Sequence, residues 1–375
     1  MTRPLHSPNP QVPKLDDFVA VTLRYELSRS DDQTLPNAFF RVLGTVRREG
    51  SIAAAARTLQ WSYRHLWGYL KEQERTLGRE LIRWDKGRAA RLTDFAEKLL
   101  WAETRIRARL APQIENLATE IGRELTIAFN DAVPIASCAA SHDLALPELR
   151  RLCADAQLLL DIRYEGSLEA LDSLHRRRCQ FAGIHLPLGR PELARRGSAI
   201  HRAFGPMLRP GREKLIRVSH RTQGLIVAPG NPLGVASIAD LARVRFVNRP
   251  RGTGTRALLD ELLDFDGVPA AKVAGYDHEE ATHLSVAAAV ASGAADAGFG
   301  IAAAAPRLGL DFVPLVREDY FLVCRSEDVD NAIALRLRAV LASERWRAVL
   351  SGIAGYAADG AGEIVPLRRA LPWYR

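Results

Sequence analysis

The chain has 375 residues, of which 47% are hydrophobic and 26% charged, with a net charge of +8. That length is too great for one ordinary domain and suits two or three, and no apolar run approaches the ~20 residues of a membrane span. The four cysteines (Cys138, Cys153, Cys179, Cys324) stand far apart with no C-x-x-C pair, which argues against a structural zinc site and for a reduced, cytoplasmic protein.

The N-terminal stretch MTRPLHSPNPQVPK has no apolar signal-peptide core and reads as a loose, proline-rich tail over residues 1–17. From position 36 to 123 the chain holds 17 Lys and Arg against 10 Asp and Glu, so almost all of the net charge lies in the first third. A basic excess of this kind favours an acidic partner.

The first element, DFVAVTLRYEL, alternates Val19, Val21, Leu23, Tyr25 and Leu27 against smaller or polar residues, the period of a half-buried strand. A helix follows with Phe39, Val42, Leu43 and Val46 at i, i+3, i+4 and i+7, ended by Gly50. Ser51 is placed to cap a second helix, IAAAARTL, whose small alanines allow another helix to cross closely. Ser62 is placed to cap a third, which turns Leu66, Leu70 and Leu77 inward and shows Tyr63, Arg64, Trp67 and Lys71 on its other face.

Two helices joined by a tight turn, the second opening with basic and hydrogen-bonding residues, describe a helix-turn-helix whose second helix enters the major groove. Arg64 is the candidate for reading guanine there, with Tyr63 and Lys71 on phosphates. The segment ELIRWDKGRAARLT then reads as a wing turning at Gly87, with Lys86, Arg88 and Arg91 facing the DNA backbone. Double-stranded DNA is the expected partner, and Ser51, Ser62 and Trp67 complete the candidate surface.

The stretch GSIAAAARTLQWSYRHLWGYLKEQERTLGRELIRWDKGRAARLT resembles the winged helix of LysR-type regulators and, more closely, that of the molybdate-responsive ModE group. The resemblance lies in Gly50-Ser51 with the paired alanines, in Ser62-Tyr63-Arg64 with Trp67, in Leu77-Gly78, in the wing glycine and in Leu92-Thr93. It implies a DNA-binding domain over 18–93. Residues 94–122 follow as one helical stripe with Phe95, Leu99, Ala102, Ile106, Leu110, Ile114 and Leu117 at threes and fours. Such a helix either packs on its own domain or pairs with its twin, and the resemblance implies the second, a homodimer or homotetramer. Pro112 interrupts the pattern and is expected to kink or split it.

Beyond Gly122 short apolar strands alternate with helices, an α/β pattern whose length suits two lobes. KLIRVSH and GLIVAP read as two separate strands, as do DFVPLV and YFLVCR. The order SHDLALPEL, YEGSLEAL, FAGIHLP, NRPRGTGTRALLDELL, THLSVAAAVASGAADAGFG resembles the periplasmic-binding-protein-like domain. The resemblance implies an effector domain over 123–375, with lobe I at 123–203 and 305–375, lobe II at 204–304, and crossings near Ala203 and Ala304.

Ligands in open α/β sheets bind beyond the carboxyl ends of strands, where helix N-termini favour anions. Candidate effector residues at such positions are Ser141, His142, Ser167, His185, His283 and Ser285. The loop RGTGTR adds Arg251, Thr253, Gly254, Thr255 and Arg256. It lacks the spacing and lysine of a Walker loop and the third glycine of G-x-G-x-x-G, so it reads as an anion-holding turn, with Arg256 either on the anion or paired with Asp260. No metal-ligand spacing is present. Adjacent Ser141, His142 and Asp143 on one turn are not placed to align as a catalytic triad.

These features lead to a regulator without enzyme activity or cofactor. Its expected effector is a small anion: a molybdate- or tungstate-type oxyanion, or a small carboxylate such as formate, with molybdenum-enzyme or related genes under its control. The alternative is an enzyme of cofactor metabolism that uses its basic third as an interaction module.

Overall fold

The computed structural model describes residues 26–28, 34–83, 90–129 and 133–374. A short antiparallel pair, β1 (Glu26–Ser28) with β2 (Thr34–Pro36), precedes three helices; the earlier part of the expected strand, Val19 to Tyr25, lies outside the described residues. The helices are α1 (Asn37–Glu49), α2 (Ile52–Leu59) and α3 (Tyr63–Leu77). Ser51 caps α2 by accepting from the Ala54 amide, and Ser62 caps α3 by accepting from the His65 amide at 3.1 Å. Gly78, at φ 63°, ends α3 in the left-handed region that a residue without Cβ enters freely.

Phe39, Val42, Leu43, Ile52, Ala55, Leu66 and Leu70 meet in one core, closed by Leu81 and by Ile82 and Leu92 from the wing strands β3 (Ile82–Arg83) and β4 (Arg91–Leu92). Glu74 of α3 accepts from the Leu81 amide at 2.8 Å and from the Ile82 amide at 3.3 Å, fixing the wing against the helix.

Helix α4 (Asp94–Phe129) runs 36 residues without a break, roughly 54 Å at 1.5 Å per residue. Pro112 does not split it. A proline lacks the N–H that would bond the carbonyl four residues earlier, here that of Ala108. The Thr282 hydroxyl donates to that carbonyl at 3.0 Å instead. Arg47 of α1 lies over the Trp101 ring at 4.1 Å, joining the winged helix to α4.

The remaining residues build one nine-stranded mixed sheet in the order β6-β5-β7-β11-β8-β10-β9, with β12 and β13 also pairing β8. Its strands are β5 (Ile135–Ala140), β6 (Leu159–Tyr164), β7 (Phe181–Leu186), β8 (Glu213–Val227), β9 (Phe246–Val247), β10 (Ala297–Ile301), β11 (Asp311–Arg325), β12 (Tyr356–Ala357) and β13 (Ile364–Val365). The helices are α5 (Leu146–Asp155), α6 (Ser167–His175), α7 (Ala199–Phe204), α8 (Gly254–Phe265), α9 (His283–Ala291), α10 (Ala332–Leu341), α11 (Glu344–Ser351) and α12 (Leu367–Ala370).

Strand alternation divides the core between the two sheet faces. Cys138, Ile216, Val218, Ile226 and Leu322 face α5, α9, α10 and α11, whereas Ile184, Leu215, Leu225, Phe321 and Val323 face α6, α7, α8 and α12. The sheet's two central strands, β8 and β11, are each 15 residues long and pair antiparallel along their lengths. They replace the four short strands expected from the sequence. The polar runs Arg221-Thr222-Gln223 and Arg317-Glu318-Asp319, which separated the expected strands, lie within the ladder. Both long strands start after the positions, near Ala203 and Ala304, where crossings between lobes were expected.

Candidate effector site and DNA-facing surface

Within the polar runs of β8 and β11, Arg221, Gln223 and Glu318 are buried and satisfy one another, with Asp143 completing the set. Arg221, 2% exposed, donates from Nη1 to Asp143 at 2.7 Å and from Nε to Glu318 at 3.0 Å. Tyr356 donates to the same Asp143 oxygen at 2.7 Å. Gln223 donates to Glu318 at 2.8 Å and to the Thr255 hydroxyl at 2.9 Å, which ties β8 to the first turn of α8. Burial opposes ionisation of Asp143, but the neighbouring His185 and Arg221 outweigh it and hold the carboxyl well below the usual carboxylate range. His185 lies 3.7 Å from Asp143 and stacks on Tyr320 with ring centroids 4.1 Å apart.

Around this network lies a set of buried groups without partners among the described residues. Arg249, 3% exposed, has neither Nε nor Nη1 hydrogen-bonded. Burial and the charge of Arg221 push its guanidinium down to about 9, against the pull of Glu280, so it remains a cation at neutral pH. Ser167 Oγ, His283 Nδ1 and the Tyr320 hydroxyl are likewise unpartnered. Burial, with Arg249 and Arg221 next, pushes His283 well below its ordinary value and keeps its ring neutral. A Cβ on Gly254 would lie 3.8 Å from Ser167 Oγ and 3.6 Å from the His185 carbonyl, ordinary contact distances that place the first turn of α8 against both.

Of the residues expected to hold an effector, Ser167, His185, Gly254, Thr255 and His283 converge here. The others are placed differently. Arg251 is exposed and lies 3.7 Å from Asp277. Arg256 is buried, but its charge is met by Asp260 at 3.0 Å and Glu279 at 3.2 Å, and its guanidinium lies 4.0 Å from the centre of the Tyr276 ring. Of the two roles open to it in the sequence, the geometry provides the pairing with Asp260. Thr253 caps α8, accepting from the Arg256 amide at 3.2 Å and donating to the Pro250 carbonyl at 2.8 Å. Ser285 is engaged in a capping box with Thr282. Ser141 is half-buried at the end of β5. His142 turns to Glu115 of α4 at 3.4 Å while Asp143 pairs with Arg221, so the two adjacent side chains diverge.

Arg221, Gln223, Arg249, Glu318 and Tyr356 went unrecognised in the sequence. The signal was present as charged residues inside otherwise apolar strands, and as the arginine just before the proline of NRPRGTGTR. Among the described residues no group of three or more His, Cys, Asp or Glu is arranged to hold a metal ion.

The linker helix α4 meets the site from behind. Glu280, fully buried, accepts from Arg105 at 2.5 Å and from Arg109 at 2.6 Å, both on α4. Asn116 pairs with the Tyr164 backbone, donating to its carbonyl at 3.1 Å and accepting from its amide at 2.6 Å. One helix thereby grips both the start of α9 and the outer edge strand β6.

On the winged helix, Tyr63, Arg64 and Lys71 are exposed on α3 and Trp67 is half-buried, with the Lys71 ammonium 4.7 Å from its ring centre. Lys71 also pairs with Glu74 at 2.7 Å. Arg91 is exposed on β4, and Lys86 and Arg88 lie outside the described residues. Ser51 and Ser62 sit at the helix starts as caps.

Comparison with known proteins gives two family matches: the PBP superfamily domain over residues 149–342 and the bacterial regulatory helix-turn-helix protein, lysR family, over residues 39–97. The Bacillus subtilis protein YvgK is 34% identical over 205 residues, 54% of this chain and 64% of its own length. A Clostridium pasteurianum protein, described as lying in the 5' region of a ferredoxin 2Fe-2S gene, is 34% identical over 113 residues, covering 29% of this chain and 96% of its own. Among solved structures, a mutant OxyR of Corynebacterium glutamicum is similar with a TM-score of 0.41 at 17% identity, over 84% of this chain and 96% of that one. The chain thus carries a helix-turn-helix of the bacterial regulatory lysR family and, by a match that fills more than half of its length, belongs to the PBP superfamily.

Proposed function

We propose that the protein binds double-stranded DNA through α3 and the wing, and that a small anion held beside Arg249 controls this binding. The single observation that carries the effector half is Arg249 itself. A guanidinium removed from water is expensive unless something answers its charge, and here two of its N–H groups meet no protein acceptor. An anion seated there, reached also by Ser167 and by the first turn of α8, supplies that answer. Molybdate, tungstate and formate are the probes to begin with, because the ModE resemblance of the winged helix points to molybdenum-related genes.

The DNA half rests on the exposed Tyr63, Arg64 and Lys71 at the start of a capped helix, where a helix-turn-helix reads bases. Assembly rests on α4, which leaves Ile106, Leu110, Leu117 and Ile121 exposed along one stripe. Such a stripe fits a second copy of the same helix, and a dimer fits paired half-sites on DNA.

The test is a melting-temperature titration of the purified full chain against those anions, with gel retardation of its upstream DNA in parallel. At least one anion should raise the melting temperature of the native protein and leave that of Arg249→Met unchanged. Arg64→Ala should weaken DNA retardation and leave the anion response intact. No stabilisation by any small anion sinks the effector half; retardation insensitive to salt and to Arg64→Ala sinks the DNA half.

A further inference from the structure

The unpartnered atoms at the effector site differ in hydrogen-bond sense. Arg249 Nε and Nη1 only donate, whereas Gln223 Oε1 and Glu318 Oε1, also buried and without partners, only accept. The orientation of the Gln223 amide is imposed by its neighbours. Its Nε2 donates to Glu318 Oε2 at 2.8 Å and to Thr255 Oγ1 at 2.9 Å, and turning it over would set an amide oxygen against a carboxylate. Glu318 commits Oε2 to Arg221 and Gln223 and keeps Oε1 clear of both.

The negative charge already present also bears on the ligand. Among the described residues three arginines are buried: Arg221, shared by Asp143 and Glu318, Arg256, held by Asp260 and Glu279, and Arg249. A dianion, or an oxyanion made only of acceptors, would meet one cation and two further acceptors.

We propose that the effector is a small monocarboxylate bearing a hydroxyl or amino hydrogen-bond donor beside its carboxyl group, the carboxylate meeting Arg249 and the donor meeting Gln223 Oε1 and Glu318 Oε1. This rests on the reading of Arg249 as an anion receptor and narrows the kind of anion. An acceptor-only ligand leaves two buried acceptors unanswered, and sites built to bond a donor discriminate strongly against analogues that lack it.

Acetate, glycolate and glycine are close in size and differ at one substituent. Calorimetric titration of the full chain with these three, and with formate and molybdate, tests the inference. Glycolate or glycine should bind at least about tenfold tighter than acetate, the step expected of one charge-assisted hydrogen bond. Whichever of the two binds tighter tells hydroxyl from amine. Acetate, formate or molybdate binding as tightly as both overturns the donor inference and leaves the anion site standing. Binding by none of them overturns both. Glu318→Gln, which puts an N–H donor where Oε1 stood, should abolish the preference; Gln223→Met should do so if Glu318→Gln fails to fold. A preference unchanged in a folded form of either variant overturns the assignment of these acceptors.

Discussion

The two parts of this molecule carry their charge in opposite ways. In the winged helix Arg64, Lys71 and Arg91 stand on the surface over an apolar core made of Phe39, Leu43, Leu66 and Leu70. In the α/β domain Arg221, Arg249, Asp143 and Glu318 are all buried. An exposed charge costs little to keep and is available to a large polyelectrolyte such as DNA. A buried charge is kept only against a desolvation cost, so each must be matched by a neighbour or by a ligand. Arg221 is matched internally, by two carboxylates. Arg249 has Nε and Nη1 without acceptors among the described residues, and the proposed anion site rests on that difference between two buried arginines.

The largest effect expected from this contrast is on Arg221→Ala, which leaves Asp143 and Glu318 facing each other without their shared cation. Loss of about 3–5 kcal/mol of stability is expected, read by urea unfolding of the α/β domain; a loss below 1 kcal/mol would show that the network is not held by Arg221. A second effect is on acid stability. His220 is pushed down to about 4 by burial and by Arg317 and Arg217, while His185 and His283 are also lowered, burial being the leading cause in each. Unfolded imidazoles take up protons near pH ~6.5, whereas these resist until lower pH, so protons favour the unfolded chain. Stability should therefore fall steadily as pH drops from about 6.5 toward 4; an unfolding midpoint that holds constant over that window would contradict it. The smallest effect is on the exposed side of the comparison. Arg64→Ala should change stability by no more than about 0.5 kcal/mol, so that any loss of DNA binding reports contact and not folding; a clear drop in melting temperature would place Arg64 in the fold.

The same contrast explains what could be read from the sequence. The winged helix was legible because its apolar residues recur at helical spacing and its boundaries carry Ser51, Ser62 and Gly78. The strands β5, β6, β7 and β10 and the helices α5, α6, α8 and α9 were legible for the same kind of reason. The two long strands were not, because periodicity treats a run such as Arg221-Thr222-Gln223 as solvent-facing. Only the partners that bury it, Asp143, Thr255, Glu318 and Tyr356, come from elsewhere in the chain, and no local pattern announces them. The effector loop shows the same limit. The arginines nearest the glycines, Arg251 and Arg256, drew attention by adjacency, but one faces water and the other is held by Asp260 and Glu279. Arg249, two residues earlier, reaches the interior.

The bond from Thr282 to the Ala108 carbonyl has a mechanical meaning. Along a regular helix every carbonyl is already bonded and a neighbour finds no preferred stopping place. Pro112 bares one carbonyl, and the cap of α9 rests on it. Sliding α4 by a single residue, about 1.5 Å along its axis, would break that bond and leave the Thr282 hydroxyl only Ser285 Oγ, at 3.2 Å, to donate to. With the ion pairs of Glu280 to Arg105 and Arg109, that bond fixes the register of α9 along α4.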